Sequence, residues 1–347
     1  MNPILWIMKD LLKYNLIWIS LFLLALISCQ EKDNSVLHQY AGGALGTNYS
    51  ILFFAQENAD LQKEIDSTFL HINASMSTYK PDSDISKINA GATAIKVDAM
   101  FQEVFGLSKR IHSETKGYFD PTVGILVNAW GFGPGEMQVL DSTIVDSLLH
   151  YVGLEKVRLT DDDIIEKDVK GIQLDFNAIA KGYAIDRLGI LLEEKGIEDF
   201  LVEVGGEVVS RGINQNKQKE WTVGIDDPQV EFGRRLKLAI QLKDRAMASS
   251  GNYRKFRIDS ITGMKYVHTI DPKTGFTKNS SMLGATVLAA SCAEADGYAT
   301  AFMAMPLAES IAFLSAHQEL DGYLIYVDDE GELQEFRTPG FQELVAY

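Results

Sequence analysis

Three short runs hold residues whose chemistry could go beyond packing. In residues 293–300, AEADGYAT, Asp296 and Thr300 stand four apart. On a helix that spacing puts a carboxylate and a hydroxyl on one face. Two such oxygens suit a hard cation such as Mg²⁺, with a backbone carbonyl, water or substrate oxygens completing the shell. The same Asp equally fits an ordinary helix start, where the dipole favours it. In residues 175–184, DFNAIAKGYA, a strand ends near Asp175 and a helix begins past Asn177, which reads as its N-cap. Free N–H groups there, with Lys181 one turn in, make an anion site in principle. A capped helix with a solvated lysine is the plain alternative. In residues 266–275, YVHTIDPKTG, a strand gives way to a turn built on Pro272 and Gly275. His268 and Asp271 sit at that junction, either as structural residues or beside a reacting group.

Other runs are open to two readings each. GYFDPTVG at 117–124 and WGFG at 130–133 mix aromatics with small residues, as a cover for a flat ring or as a packed loop. VGGE at 204–207 lets a backbone approach something closely, or turns a strand. SSGNY at 249–253 offers hydroxyls and amides to an anion, or forms a turn. The six histidines and two cysteines form no zinc cluster, and no G-x-S-x-G elbow occurs.

The elements that must position these groups follow from periodicity. A strand fits 44–55, and a helix fits 59–78, with Leu61, Ile65, Phe69, Ile72 and Met76 at spacings of three and four. Further helices fit 99–115, 141–152, 178–195 and 292–304. Short β-like runs occupy 199–204, 220–225, 236–242, 264–270 and 282–290, separated by turn-rich segments. Strands and helices cluster without strict alternation, which points to an α+β fold: mostly antiparallel sheet flanked by helices.

The start of the chain speaks to compartment. Lys9 and Lys13 precede the apolar run LIWISLFLLALI at 16–27. That run has the length of a signal-peptide core and falls short of the roughly 20 residues of a membrane span. Leu26-Ile27-Ser28-Cys29 resembles a lipobox, so cleavage before Cys29 would leave that cysteine to carry lipid. The expected organisation is a signal peptide over 1–28, a tether over 29–40 and a folded part over 41–347, as one large domain or two intimate ones. An uncut N-terminal anchor is the alternative. Lipid on Cys29 leaves Cys292 alone, so no disulfide within the chain is possible. The formal charge of −16 becomes −17 once the leader, with Lys9, Lys13 and Asp10, is removed. So acidic a surface argues against nucleic acid as a partner.

Taken in order, these segments resemble the ApbE family, the FAD:protein FMN transferases. The resemblance runs from about Gly46 to Phe302. It rests on Leu45-Gly46-Thr47, MSTYKPDSDIS at 76–86, residues 117–124 and 175–184, and Val204-Gly205-Gly206. It continues through WTVGI at 221–225, Ser249-Ser250-Gly251, HTIDP at 268–272, and residues 296–300. It implies an ApbE-like fold with a T-fold-like core. It also implies transfer of FMN from FAD to a Thr or Ser hydroxyl of an acceptor flavoprotein, with AMP released. Mg²⁺ would be held by Asp296, Thr300 and the carbonyl of Ala178. His268 would act as base or proton carrier, a role suited to imidazole near neutral pH. FAD would contact Leu45, Tyr79, Phe119, Asp120, Pro121, Lys181 and Ile270. The acceptor would be a flavin subunit of a membrane redox complex or a related extracytoplasmic protein. Leu45 departs from the family's usual methionine, and Thr269 from a commoner isoleucine. An FAD pyrophosphatase, releasing FMN and AMP to water, or a non-enzymatic FAD-binding lipoprotein would use the same site.

Overall fold

The middle of the fold is made by strands whose residues alternate between two buried faces. The computed structural model describes residues 35–228, 235–252, 256–258, 265–278 and 281–346. The leader, Cys29, residues 29–34 and Tyr253 lie outside them. The chain divides into two compact units, Met1–Val36 with Ala55–Ala59, and Leu37–Phe54 with Asp60–Tyr347. In the described part of the first, Ala59 N–H donates to the Gln56 carbonyl at 3.1 Å. The second holds the described helices and the body of every sheet.

An eight-stranded sheet runs in the order β1 (Val36–Ala44), β2 (Thr47–Ala55), β5 (Phe200–Val204), β6 (Glu207–Arg211), β9 (Ala246–Gly251), β12 (Met282–Ala289), β13 (Asp321–Val327) and β14 (Leu333–Arg337). From β2 onward every pairing is antiparallel. Smaller two-stranded sheets join β3 (Val157–Leu159) to β4 (Ile165–Lys167), β7 (Trp221–Asp226) to β8 (Leu236–Leu242), and β10 (Phe256–Ile258) to β11 (Lys265–Val267). The helices are α1 (Gln62–Met76), α2 (Asp84–Asn89), α3 (Ala99–Glu114), α4 (Gly124–Ala129), α5 (Ser142–Leu149), α6 (Ala180–Glu194), α7 (Cys292–Ala304), α8 (Leu307–Ala316) and α9 (Pro339–Leu344). The α+β reading and the antiparallel sheet hold.

Alternation divides the large sheet between two cores. Val208, Met247, Leu288, Tyr323 and Ile325 face the β7–β8 hairpin and pack with Val223, Ile225, Leu238, Ile240 and Leu242. Their neighbours Val209, Ala248 and Val287 point to the other side, where α6 and α7 lie. Small side chains there let α7 settle onto β9 and β12. A third cluster joins Leu126, Trp130, Val145, Val152 and Ile270 beside α4 and α5.

Several boundaries differ from the sequence reading. Residues 36–40, placed in the tether, belong to β1. This edge strand carries Gly, His, Gln and Tyr without apolar alternation, so its pattern resembles a linker. The single strand expected over 44–55 is β2, turning back from β1 through Leu45 and Gly46. Both have positive φ (51° and 75°), the pattern of a two-residue hairpin turn. The strand over 264–270 shortens to β11, which ends just before His268. Residues 249–251, open to an anion-site or a turn reading, close β9. β6, β13, β14, α8 and α9 lie in runs with no assignment from periodicity.

At Gly182, α6 and α7 come into backbone contact. A Cβ there would overlap the carbonyl of Cys292 and lie 2.8 Å from the Cα of Ala293. Both obstacles are backbone, so no rotamer change relieves them. Gly182→Ala is expected to lower stability by about 1–3 kcal/mol, the usual cost of overpacking, read as a lower urea midpoint with an unchanged slope.

Candidate functional site

The first turn of α6, the β5–β6 turn and the middle of α7 converge on one buried group of charges. The Nζ of Lys181 lies 2.7 Å from Oε1 of Glu207. Glu207 opens β6, and alternation sends it to the helix side with Val209. Asp296 comes from α7, where it accepts from the Gly182 N–H at 3.2 Å. One turn on, Thr300 shares a hydroxyl–hydroxyl hydrogen bond of 3.2 Å with Ser250 of β9. Glu207 and Asp296 are each only 4% exposed. Burial pushes the carboxyl of Glu207 up to about 8, as does the charge of Asp296, against the pull of Lys181. Burial also raises Asp296, opposed by Lys181 and the Gly182 N–H. Burial disfavours the Lys181 ammonium, but the two carboxylates outweigh it and hold the lysine above its ordinary range.

The surroundings are equally specified. Gly205 and Gly206 turn β5 into β6 with φ of 64° and 99°. A Cβ at Gly205 would meet the Thr47 side chain at 3.0 Å and the Lys181 stem at 3.5 Å. The β1–β2 turn therefore lies against the lysine, with Leu45 two residues away. A cavity of about 40 Å³ lies where the large sheet meets β7, lined by Gly205, Gly206, Gly224, Asp226, Ser249 and Thr286 among others.

The start of α6 differs from its expected form. Asn177 is not the N-cap; Ile179 is, with no side-chain cap bond. The backbone of Asn177 donates to Asp175 Oδ1 at 2.7 Å, and its side-chain amide donates to the Thr78 hydroxyl at 3.3 Å. It thus clamps the segment carrying Tyr79, whose ring is 58% exposed. Burial and the charge of Asp175 raise the Tyr79 phenol. The helix N-terminus is also not wholly free for an anion, since the Gly182 N–H already serves Asp296.

The remaining predicted residues fall around this centre. Phe119 and Asp120 are buried. Asp120 Oδ1 accepts from the N–H and hydroxyl of Thr122 at 2.8 and 2.6 Å, and its Oδ2 accepts from Leu154 N–H at 3.2 Å. Burial raises its pKa against those bonds. The carboxylate therefore braces its own loop. The Pro121 carbonyl accepts from Asp175 N–H at 2.7 Å, joining that loop to the start of α6. Ile270 sends its side chain into the core cluster around Trp130, so its backbone is the part left for a ligand. His268 is half-buried, with the ring of Phe132 edge-on at 6.5 Å. The next residue, Thr269, donates to Asn252 Oδ1 at 2.7 Å. Asn252 follows the end of β9 that carries Ser250, so the His268 segment is tied to the strand that meets Thr300. Asp271 accepts from Lys273 N–H and pairs with Lys278 at 3.2 Å, bracing the turn. Trp130 fixes the far side of that turn by donating to the Gly275 carbonyl at 2.8 Å.

Sequence reasoning missed two carboxylates. Glu207 was read only as part of a glycine turn, yet an acid among Val208, Val209 and Ser210 in a buried strand was a signal. Asp186 lies on α6 and accepts from the N–H groups of Cys292 and Ala293 at 2.7 and 2.9 Å.

The donor set fits a hard cation. It has a carboxylate on Asp296, a hydroxyl on Thr300, and the Ala178 carbonyl, to which no donor among the described residues reaches. Among the described residues no three His, Cys, Asp or Glu side chains gather as a metal group. Any ion here must therefore be held partly by backbone and hydroxyl oxygens.

Comparison with known proteins finds relatives over most of the chain. A model described as the ApbE family matches residues 45–324. The FAD:protein FMN transferase of Vibrio cholerae is 32% identical over 334 residues, covering 93% of this chain and 97% of its own. That of Haemophilus influenzae is 31% identical over 322 residues, covering 89% and 91%. The solved flavin transferase ApbE from Vibrio cholerae gives a TM-score of 0.79 at 32% identity, covering 89% of this chain and 99% of its own. The apo flavinyl transferase ApbE of Pseudomonas stutzeri gives 0.78 at 26%, covering 90% and 98%.

Asp186 gives the site a pH signature. The protein packed around it pushes its carboxyl up to about 7, against the two N–H groups. The folded pKa lies above the unfolded one, so its contribution is fully present below about pH 4 and is lost as pH rises through 7. Asp186→Asn should therefore show a shallower fall of stability between pH 4 and 7 than the wild type in urea unfolding.

Proposed function

The chain belongs to the ApbE family, and from that we propose that it moves FMN from FAD onto a Thr or Ser hydroxyl of an acceptor flavoprotein. It is a transferase. In the proposed reaction the acceptor oxygen bonds to the FMN phosphorus while the bond to AMP breaks. A phosphoester remains on the acceptor and AMP leaves. The observation that carries this reading is the buried meeting of Lys181, Glu207 and Asp296 beside Thr300 at the start of α6.

Each residue then has a physical task. Tyr79 offers an exposed ring to a flat ligand, and Leu45 adds apolar contact from a turn fixed against Lys181. The loop of Phe119, Asp120 and Pro121 acts through its backbone, because the first two side chains are buried. Ile270 acts through its backbone for the same reason. Lys181 supplies positive charge for the pyrophosphate. Mg²⁺, held by Asp296, Thr300 and the Ala178 carbonyl, would offset charge on the transferred phosphoryl and leaving oxygens. His268 takes the proton from the acceptor hydroxyl, a weak nucleophile that a positioned base activates. We further propose that lipid on Cys29 holds the enzyme on the extracytoplasmic side of a bacterial membrane, near an acceptor subunit of a membrane redox complex.

Incubation of the protein with FAD, Mg²⁺ and a candidate acceptor, followed by mass spectrometry, tests the class. A mass gain of one esterified FMN on a Thr or Ser is expected. Free FMN and AMP without acceptor modification would mark a pyrophosphatase. His268→Asn should slow single-turnover transfer by about 10²- to 10⁴-fold and leave FAD affinity, read by fluorescence, nearly unchanged. Loss of affinity in proportion to rate would make His268 a ligand contact instead.

A further inference from the structure

Resting on that reading, we infer that Glu207 is a further ligand of the cation site, its free carboxylate oxygen facing the ion beside Asp296. Oε1 of Glu207 is taken by Lys181 at 2.7 Å. Oε2 is buried and has no hydrogen-bond partner among the described residues. Its carboxyl lies within hydrogen-bonding reach of the Asp296 carboxyl. Two buried carboxyl groups face one another there, so they must either share a proton or meet a cation. A buried polar oxygen left so is costly, and a buried unpaired charge more so.

Charge gives the same answer. With both carboxyls ionised, as ligation of a cation requires, two carboxylates and one ammonium leave one net negative charge. A divalent ion turns that into one net positive charge, the sign an incoming pyrophosphate requires. With Asp296 as the single charged ligand, beside a hydroxyl and a carbonyl, the ion would have one anionic partner. Glu207 supplies a second from β6, across the group from α7. Its other oxygen holds Lys181, so one side chain fixes both cations against the phosphates. β6 is a central strand of the sheet, which makes this ligand rigid.

The test is titration calorimetry of Mg²⁺ alone into nucleotide-free protein, beside FAD affinity measured without metal. Glu207→Gln keeps the size of the side chain and an acceptor oxygen for Lys181. It is expected to weaken Mg²⁺ binding by about ten-fold or more while metal-free FAD affinity does not fall. Glu207→Asp, which keeps the carboxylate, is expected to bind Mg²⁺ more tightly than Glu207→Gln. The Mg²⁺-induced rise in unfolding temperature should fall in the same order, and the metal-free melts report that each variant folds. Unchanged Mg²⁺ affinity in Glu207→Gln, with weaker binding in Asp296→Ala, overturns the role of Glu207 alone. Unchanged affinity in both overturns the cation site itself. Loss of FAD affinity with unchanged Mg²⁺ binding overturns the ligand role and leaves Glu207 as a positioner of Lys181.

Discussion

The site depends on a reciprocal grip between two helices. Asp186 on α6 accepts from the first N–H groups of α7, and Asp296 on α7 accepts from the Gly182 N–H near the start of α6. Each carboxylate occupies the positive end of the other helix, where orphan N–H groups and the dipole favour an anion. The exchange fixes both the spacing and the register of the pair. Gly182 makes it possible, since any side chain there would strike the backbone of Cys292. Shift α7 by one residue and Asp296 leaves Lys181 while Thr300 leaves Ser250 on β9.

That grip forces charges into a place that resists them. Lys181 is stabilised by Glu207 and Asp296, while burial pushes both acids upward. Such an arrangement contributes little to stability, because desolvation cancels most of the attraction. Perturbed groups of this kind collect where chemistry is done. Here the imbalance has the sign that suits a cation and then a phosphate.

Loops complete the centre by being tied to it at named points. Asn177 holds the Tyr79 segment through Thr78, and Pro121 is bound to Asp175. Thr269 ties the His268 segment to Asn252, while Trp130 pins the turn beyond it at Gly275. The aromatics at 130–133 thus divide their work. Trp130 serves the core, and Phe132 stands edge-on to His268.

Local pattern made much of this legible. The helix over 292–304 was read to the residue, and Ser291 caps it. The α+β class followed from clustered strands; Lys181, Asp296 and Thr300 were marked as candidates by type and spacing, and only the family resemblance set them above an ordinary capped helix. What spacing could not give was the partner of each group. Asn177 looks like a cap until Thr78 is beside it. Asp120 has no partner on sequence alone, and in the fold its carboxylate accepts from Thr122 and Leu154. Glu207 looks like a turn residue until β6 carries it under Lys181. Sequence determines which residues share a helix face or alternate along a strand, since those are fixed by 3.6- and 2-residue periods. Tertiary structure alone decided which buried acid meets which base, because those pairs lie 26 to 115 positions apart in the chain and only the packing of α6, α7 and β6 brings them together.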